Sequence, residues 1–289
     1  MEKIKKYLNF IVILTIIAYS LLGLCNRYSY AVNQTISENI EEINETKYPG
    51  IKERINELKS QYPNWNFKIF YTDLDWNEVI ANEYTGHGVS PRNLIPKNYQ
   101  EAWKCSVCGD KGYDNGSWYC VSEATIKYMM DPRNWLNSLE IFQFEELTYN
   151  GCDENIINVM INGTFLQGLA NVIKQVGEDN NINPYYIVAR LIQEQGKSGT
   201  VLTSGEKGYY NPFNIGASGN TTEQIITNGL AYAERQGWNT LQAGINGGID
   251  FLSREYIKRG QNTLYLQKFD VESTNSGLYW HQYKKYFSS

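Results

Sequence analysis

Apolar residues recur at helical spacing through most of the second half of the chain. The four segments that show this period are 164–178, 183–196, 222–236 and 241–258. In the second of them, Asn183 and Pro184 suit a helix start and Gly196 suits its end. The pattern predicts four amphipathic helices. For Gly244, Gly247 and Gly248 in the last one we expect ordinary helix packing rather than unusually close approach.

In the first half of the chain, the runs of regularly spaced apolar residues are shorter and include both helical and strand-like spacing. Ile51, Ile55 and Leu58 are spaced as on a helix, and residues 65–71 alternate as in a strand. Further helices are predicted from Leu74 through Ile80 and over residues 122–130, where Asp131-Pro132 ends the second one. This mixture predicts a small α+β region in front of the helical one.

Glu194 stands in the last turn of the helix predicted over 183–196, at the edge of its apolar stripe. The negative end of the helix dipole and partial burial both disfavour the charged form of a carboxylate. A carboxyl group that holds its proton near neutral pH is what general acid catalysis needs. We therefore select Glu194 as a candidate acid, against the simpler interpretation of an exposed surface glutamate.

Residues 1–31 have the form of an export signal. Three lysines precede a mostly apolar stretch from Leu8 to Leu24, and Ser29-Tyr30-Ala31 offers small residues where a signal peptidase cleaves. Cleavage after Ala31 is favoured, with retention as a membrane anchor as the alternative. Residues 32–48 are polar and acidic and are predicted to be a linker.

Charge excludes one class of partner. The whole chain carries 26 Lys and Arg against 31 Asp and Glu. Removal of residues 1–31 takes away four basic residues and one acidic residue, so 22 basic and 30 acidic residues remain, a net charge of about −8. An acidic chain without a basic stripe is not expected to bind nucleic acid.

Four cysteines follow the export segment: Cys105, Cys108, Cys120 and Cys152. An even number in an exported protein is typical of disulfides. The spacing Cys105-x-x-Cys108-Gly109 instead favours a knuckle that offers two thiolates to one Zn²⁺. We expect a structural zinc site of all four cysteines, with two disulfides as the alternative. Four thiolates would leave no open position for catalysis by the metal.

Five segments resemble the N-acetylglucosaminidases of glycoside hydrolase family 73, which cut bacterial peptidoglycan. They are ARLIQEQG, YYNPFNIGA, NGLAYAERQGW, GQNTLYLQKFDV and YWHQY, in the family's order over roughly residues 160 to 287. The segments YPNWNF, LDW, MDPRNWL and IFQFEEL resemble a module that accompanies such enzymes in Gram-positive bacteria. The resemblance implies a mainly α, α+β architecture, with an accessory module over 49–160 and a lysozyme-like catalytic domain over 161–289.

The resemblance also implies roles for individual residues. Glu194 matches the catalytic acid, and Tyr283 matches a tyrosine near the point of cleavage. Glu206 and Glu223 are candidates for a second carboxylate, although neither lies in a distinctive motif. Residues expected in the substrate groove are Tyr209, Tyr210, Asn211, Phe213, Asn214 and Tyr265.

The expected activity is cleavage of the β-1,4 bond after N-acetylglucosamine in peptidoglycan glycan strands, by an exported or wall-associated enzyme that needs no cofactor for catalysis. A muramidase or a lytic transglycosylase would use the same fold, and a non-catalytic wall-binding protein is the alternative from another class. The second catalytic group stays open between a protein carboxylate and the N-acetyl group of the substrate.

Overall fold

The structure is a computed structural model that describes residues 34–273 and 277–283 of the 289-residue chain. The predicted export segment, residues 1–31, lies outside the described residues, as do residues 32 and 33 of the predicted linker. Within the described ranges, no helix has the length and apolar character needed to span a membrane.

Short helices are the main regular structure of the described chain. They are α1 (Ile51–Gln61), α2 (Trp76–Glu83), α3 (Glu123–Met130), α4 (Glu154–Ile161), α5 (Ala170–Asn180), α6 (Pro184–Gln195), α7 (Val201–Ser204), α8 (Thr222–Gln236), α9 (Leu241–Glu255) and α10 (Leu264–Phe269). Single 3₁₀ turns cover Ile40–Glu42, Glu101–Trp103, Pro132–Asn134, Glu140–Phe144 and Ile257–Arg259.

Two small antiparallel sheets accompany the helices in the first half. Strand β1 (Thr35–Ser37) pairs with β2 (Ile69–Tyr71). The second sheet has the order β3 (Leu94–Pro96), β5 (Trp118–Cys120), β4 (Gly112–Tyr113). In its register Leu94 lies opposite Cys120, which places a cysteine at the end of the central strand.

The helical half packs around a core formed mainly by α4, α5, α6 and α9. Ile157, Ile173, Ile187 and Ile249 lie in it, each with 0 % exposure. Ile173, Ile187 and Ile249 come from the predicted apolar stripes, so the periodicity did identify those buried faces, whereas Ile157 lies on α4, a helix that was not predicted. Burial of four such side chains contributes on the order of 1.5–3 kcal/mol each.

Helix α6 begins and ends where the sequence predicts. The side chain of Asn183 accepts a hydrogen bond from the Tyr185 N–H at 2.9 Å, and Pro184 occupies the first turn. Gly196 ends the helix with φ 69°, a conformation in which a side chain would be strained. The two caps set the register of α6 and therefore the position of Glu194 at its last turn.

The helix predicted from residue 164 begins later, at Ala170. Residues 164–169 form turns instead, in which the N–H of Phe165 donates to the Lys197 carbonyl at 2.8 Å and Gly168 has φ 86°. Leu166 is nevertheless fully buried. The apolar positions in this stretch serve a packed turn, which spacing alone cannot distinguish from a helix.

The predicted linker is wrong over the residues that are described. Residues 35–37 form strand β1, and Ile40 and Ile43 are buried against Ile55. Gln34 donates through its side-chain amide to the Val271 carbonyl at 2.9 Å. The segment is polar because one face is exposed, but its few apolar residues cover α1.

A second core crosses the predicted boundary between accessory module and catalytic domain. It joins Ile80, Ile126 and Met130 of the first half to Leu266 and Phe269 of α10. In the other direction, all but the last residue of α4 precedes the predicted boundary at residue 161, and this helix packs into the helical core. The two halves therefore share their apolar interiors.

Three glycines of α9 allow close approach, contrary to the ordinary packing that we expected. A Cβ at Gly244 would lie 2.6 Å from the Tyr210 carbonyl oxygen. One at Gly247 would lie 2.1 Å from the Trp238 indole nitrogen, and one at Gly248 would lie 2.1 Å from the Phe213 ring. The helix thus lies directly against the segment that follows α7.

We expect Gly244→Ala to lower the free energy of unfolding by about 1–2 kcal/mol. Overpacking costs about 1–3 kcal/mol, and the better helix propensity of alanine offsets part of it. Urea unfolding followed by circular dichroism measures this change. Gln242→Ala, on the exposed side of the same helix, is the matched control and should stay within about 0.5 kcal/mol of the wild type. Equal stability of both variants would contradict the close approach.

Candidate active site

Glu194 lies in the last turn of α6 with 17 % of its side chain exposed. Its Oε1 accepts a hydrogen bond from Arg190 Nη2 at 2.7 Å, and its Oε2 accepts one from Asn214 Nδ2 at 3.0 Å. The carboxylate is therefore fixed from both sides while part of it faces solvent. A group of this kind can reach a ligand without changing its rotamer.

Arg190 is the partner that the sequence reasoning missed. It lies one turn before Glu194 on the same helix face, and its side chain is only 6 % exposed. Its guanidinium forms an ion pair with the Glu194 carboxylate at 2.7 Å. The i, i+4 spacing within ARLIQEQG was a signal that could have been used.

Asn214 is oriented by a buried glutamine. Gln195 Nε2 donates to Asn214 Oδ1 at 2.7 Å and to the Pro212 carbonyl at 3.1 Å. This leaves the Asn214 amide nitrogen to donate to the Glu194 carboxylate and, at 3.2 Å, to the Glu194 carbonyl. Asn214 has φ 55°, a backbone conformation that asparagine tolerates better than most residues. The loop after α7 is thus tied to the end of α6.

Tyr283 joins the same cluster from the far end of the chain. Arg190 Nη2 donates to the Tyr283 hydroxyl, and the guanidinium lies over the ring, 4.7 Å from its centroid. Burial is the main cause that raises the pKa of Tyr283 to about 12; Arg190 opposes it and the Glu194 charge adds to it. The phenol therefore keeps its proton near neutral pH and can donate it in a hydrogen bond.

The segment that carries Tyr283 is held by backbone contacts. Asp270, with 0 % exposure, accepts from the N–H groups of Trp280 and His281 at 2.7 and 2.6 Å. The Tyr283 N–H donates to the Gln267 carbonyl at 2.8 Å. His281 bonds the Glu255 carbonyl through Nε2, which fits a structural role. Trp280 is left 81 % exposed, as a flat apolar surface.

The two candidates for a second carboxylate lie on exposed segments. Glu206 follows α7 in a turn, and Glu223 stands in the first turn of α8. In the described part of the chain, no hydrogen bond links either side chain to Glu194, Arg190 or Asn214. Glu194 is therefore the carboxylate to which Arg190 and Asn214 donate, and neither candidate shares these donors.

Proteins with established names are similar in sequence to most of this chain. It is 28 % identical over 273 residues to a bifunctional autolysin of Staphylococcus epidermidis, which covers 89 % of this chain and 19 % of that protein. It is 29 % identical over 201 residues to a β-N-acetylglucosaminidase of Bacillus subtilis (strain 168), covering 65 % of this chain and 22 % of the relative. The chain thus spans about a fifth of the length of these relatives. No family model matches the sequence.

The chain is a homologue of proteins named bifunctional autolysin and β-N-acetylglucosaminidase.

The fold of this homologue and the fold of a solved glucosaminidase also agree. The crystal structure of S. aureus glucosaminidase B superposes with a TM-score of 0.54, at 23 % identity, over 72 % of this chain and 77 % of that one. The lysozyme-like, mainly helical α+β fold that the resemblance implied is confirmed. The end of α6, the loop after α7 and the segment 279–283 meet within that fold.

Of the groove residues predicted from the sequence, two lie in the interior. Asn211 has 0 % exposure and donates to the carbonyls of Ile215 and Gly229, both at 2.8 Å. Phe213 is buried in the helical core. Both positions correct the prediction, because an aromatic run between two helices supplies packing as readily as a ligand surface.

The other predicted groove residues differ among themselves. Tyr265 donates its hydroxyl to the Met130 carbonyl at 2.7 Å and packs on Phe144 and Phe269, so it joins α10 to α3. Its side chain is half-buried, and its place in the substrate groove stays a prediction. Tyr209 and Tyr210 are half-buried in the loop that leads to Asn214.

The cysteines of the homologue form a different set from the predicted one. Cys105, Cys108 and Cys120 lie together, but the fourth member is His87, and the ligand atoms all lie within 4.8 Å of one another. Cys152 lies elsewhere, before α4, packed against the helical core. All four cysteines are free thiols, so the disulfide alternative is not found. His87 carries no motif, being 18 residues before Cys105.

The donor atoms fit a tetrahedral metal. His87 Nδ1 lies 3.2 Å from the Cys120 sulfur, 3.3 Å from that of Cys105 and 3.7 Å from that of Cys108. Ideal Zn–N and Zn–S bonds place such atoms roughly 3.6 Å apart. The backbone N–H groups of Val107 and Cys108 also bond the Cys105 sulfur. The cluster is therefore a candidate metal centre.

Proposed function

We propose that this chain is an exported peptidoglycan hydrolase that cleaves the β-1,4 bond after N-acetylglucosamine in glycan strands. One observation carries the proposal: Glu194 is a fixed, partly exposed carboxylate beside Tyr283, in a chain related to proteins named autolysin and β-N-acetylglucosaminidase. The proposed binding partner of the protein is the peptidoglycan glycan strand.

Glu194 acts as the general acid in this proposal. It protonates the leaving oxygen of the glycosidic bond while an oxocarbenium-like centre develops on the sugar. Arg190 and Asn214 then stabilise the carboxylate that proton transfer leaves behind, through the two hydrogen bonds already in place. Bonds that exist before the reaction cost no reorganisation during it.

For the second group, the arrangement favours the substrate. Glu206 and Glu223 lie on exposed segments outside the Glu194 network. Attack by the N-acetyl oxygen on the anomeric carbon needs no protein nucleophile. The protonated Tyr283 phenol is suited to bind this acetamido group or the water that follows.

We further propose that the cluster of His87, Cys105, Cys108 and Cys120 holds one structural Zn²⁺. Three thiolates and one imidazole are a zinc donor set, and four protein ligands leave no position for substrate. Bound zinc supplies cross-linking of loops and no step in hydrolysis. Export itself is supported by residues 1–31 of the sequence, with cleavage giving a wall-associated enzyme and retention giving an anchored one.

Digestion of purified peptidoglycan with residues 32–289 tests the activity. Borohydride reduction marks each new reducing end, and mass spectrometry identifies the sugar that carries it. A reduced N-acetylglucosamine end is expected. A reduced or anhydro muramic end would assign the chain as a muramidase or a lytic transglycosylase, and absence of release from the folded, zinc-loaded protein would favour wall binding.

Tyr283→Phe is expected to lower kcat by about 10²-fold, the typical effect of losing one transition-state donor. The ring remains over Arg190, so the cation–π contact and the fold should persist. Initial rates on peptidoglycan, with circular dichroism as a fold check, measure this effect. Tyr256→Phe changes a neighbouring ring 5.1 Å away and serves as the control. Similar rates for both variants would exclude a catalytic Tyr283 hydroxyl.

A further inference from the structure

One exposed loop connects the candidate metal centre to the active-site segment. It runs over residues 84–92, and its ends are the buried residues Glu83 and Asn93, each with 1 % exposure. The Asn93 amide closes the loop by donating to the Glu83 carbonyl at 3.0 Å and to the Glu83 Oε2 at 2.7 Å. His87, near its centre, reaches the three thiols.

The metal cluster is a main tertiary attachment of this loop. The Tyr84 hydroxyl lies 3.4 Å from the Cys105 sulfur, and its ring packs on His87 with centroids 3.8 Å apart. Thr85, Gly86, Val89 and Ser90 are exposed. A loop with so few buried side chains has low local stability unless a cross-link closes it. A metal bond to His87 is such a cross-link.

Glu83 and Asn93, at the ends of the loop, contact the segment that carries Tyr283 and the helix α10 before it. Both carboxylate oxygens of Glu83 accept hydrogen bonds from the Gln282 amide, each at 2.8 Å. Lys268 donates to Asn93 Oδ1 at 2.7 Å. Gln282 directly precedes Tyr283, so Glu83 fixes the backbone from which the Tyr283 ring projects toward Arg190.

The same ends are tied to the cysteine strand. The N–H of Val121, next to Cys120, donates to the Asn93 carbonyl at 3.4 Å, and β3 begins at Leu94 opposite Cys120. His87 therefore lies in the loop between Glu83 and Asn93, and the strand that carries Cys120 bonds to Asn93 directly. A displacement of the loop would move the acceptors of Gln282.

We infer that metal binding by His87, Cys105, Cys108 and Cys120 positions Tyr283 for catalysis through Glu83 and Gln282. The inference rests on the proposed function, because it assigns Tyr283 to the reaction. Glu83, Asn93 and Gln282 act as positioning residues, and the metal stays remote from the bond that is cleaved. Asp270 supports the segment independently, so metal loss should loosen it without detaching it.

Hydrogen exchange on residues 32–289 tests the coupling without reference to activity. Removal of zinc by a chelator is expected to increase exchange in the peptide that covers 277–283, while α5 and α6 stay protected. Restoring one equivalent of Zn²⁺ should restore protection. Unchanged exchange in 277–283 after zinc has left would overturn the inference.

Metal content and thiol reactivity test the site itself. The wild-type chain and Cys152→Ser should each hold one zinc, while Cys108→Ser and His87→Ala should lose it. In zinc-loaded residues 32–289, which lack Cys25, only Cys152 should react readily with a thiol reagent, and three further thiols should appear after chelation. A chain without zinc whose four thiols react alike would refute the metal centre.

Kinetics completes the test. Chelation is expected to lower kcat on peptidoglycan by about 10- to 100-fold, as for a misplaced catalytic group, with little change in KM. If the chain unfolds without zinc, the zinc-loaded variant Glu83→Gln replaces the chelated protein in this test. The variant should keep its zinc and show faster hydrogen exchange in residues 277–283. Unchanged exchange in these residues would refute the inference. An inactive wild type that passes the zinc and exchange tests would refute the proposed function alone.

Discussion

Glu194→Gln is expected to reduce peptidoglycan hydrolysis by about 10³-fold or more, because it removes the proton that the leaving oxygen requires. Glutamine has nearly the same shape, and its side-chain carbonyl can still accept from Arg190. Its amide nitrogen would face the Asn214 donor, so we expect a loss of stability of only about 1 kcal/mol. Activity near the wild-type level would remove Glu194 from the mechanism.

Glu206→Gln and Glu223→Gln are the matched controls. Each makes the same chemical change on an exposed segment of the same chain. Both variants should keep activity within about 2-fold of the wild type, since surface substitutions away from the site have small effects. A loss in either one comparable to that of Glu194→Gln would identify a second carboxylate and contradict assistance by the substrate. Muropeptide release and thermal unfolding should be measured on all three variants together.

Glu83→Gln is expected to lower the free energy of unfolding by about 3 kcal/mol, because the buried amide donors of Asn93 and Gln282 lose a charged acceptor. The Glu83 carboxylate accepts from Asn93 and Gln282, and a glutamine amide would place a donor against these donors. Burial lowers the pKa of Lys268 to about 7, and the nearby Glu83 charge opposes this. Loss of the charge leaves Lys268 without that support.

A double-mutant cycle separates the charge pair from the rest of the network. Lys268→Met alone removes one of the two positive charges, with Arg92, that favour the charged form of the buried Glu83 carboxylate, so it should also destabilise the fold. The double variant Glu83→Gln, Lys268→Met should lose less than the sum of the two single changes, by about 1 kcal/mol or more. Glu78→Gln, exposed on the same helix, is the control. Strict additivity would contradict a coupled buried pair.

The helices of the catalytic half could be predicted because their determinants are local. The Asn183 cap, Pro184 and Gly196 set α6, and α8 matches its predicted bounds, Thr222–Gln236. Glu194 could be placed at a helix end for the same reason. Helix α5 was predicted too early, since apolar side chains at residues 165 and 169 also suit a packed turn.

The sequence alone determined the helix that carries Glu194, the Cys105–Cys108 knuckle and the resemblance to a glucosaminidase, all of which depend on residues close together in the chain. The tertiary structure alone decided that His87 completes the metal cluster with Cys120, 33 residues away, and that Glu83 bonds Gln282 across 199 residues. It also placed Arg190 between Glu194 and Tyr283. Pairings of this kind leave no periodic pattern, because they depend on how the chain folds back on itself and not on the neighbours of each residue.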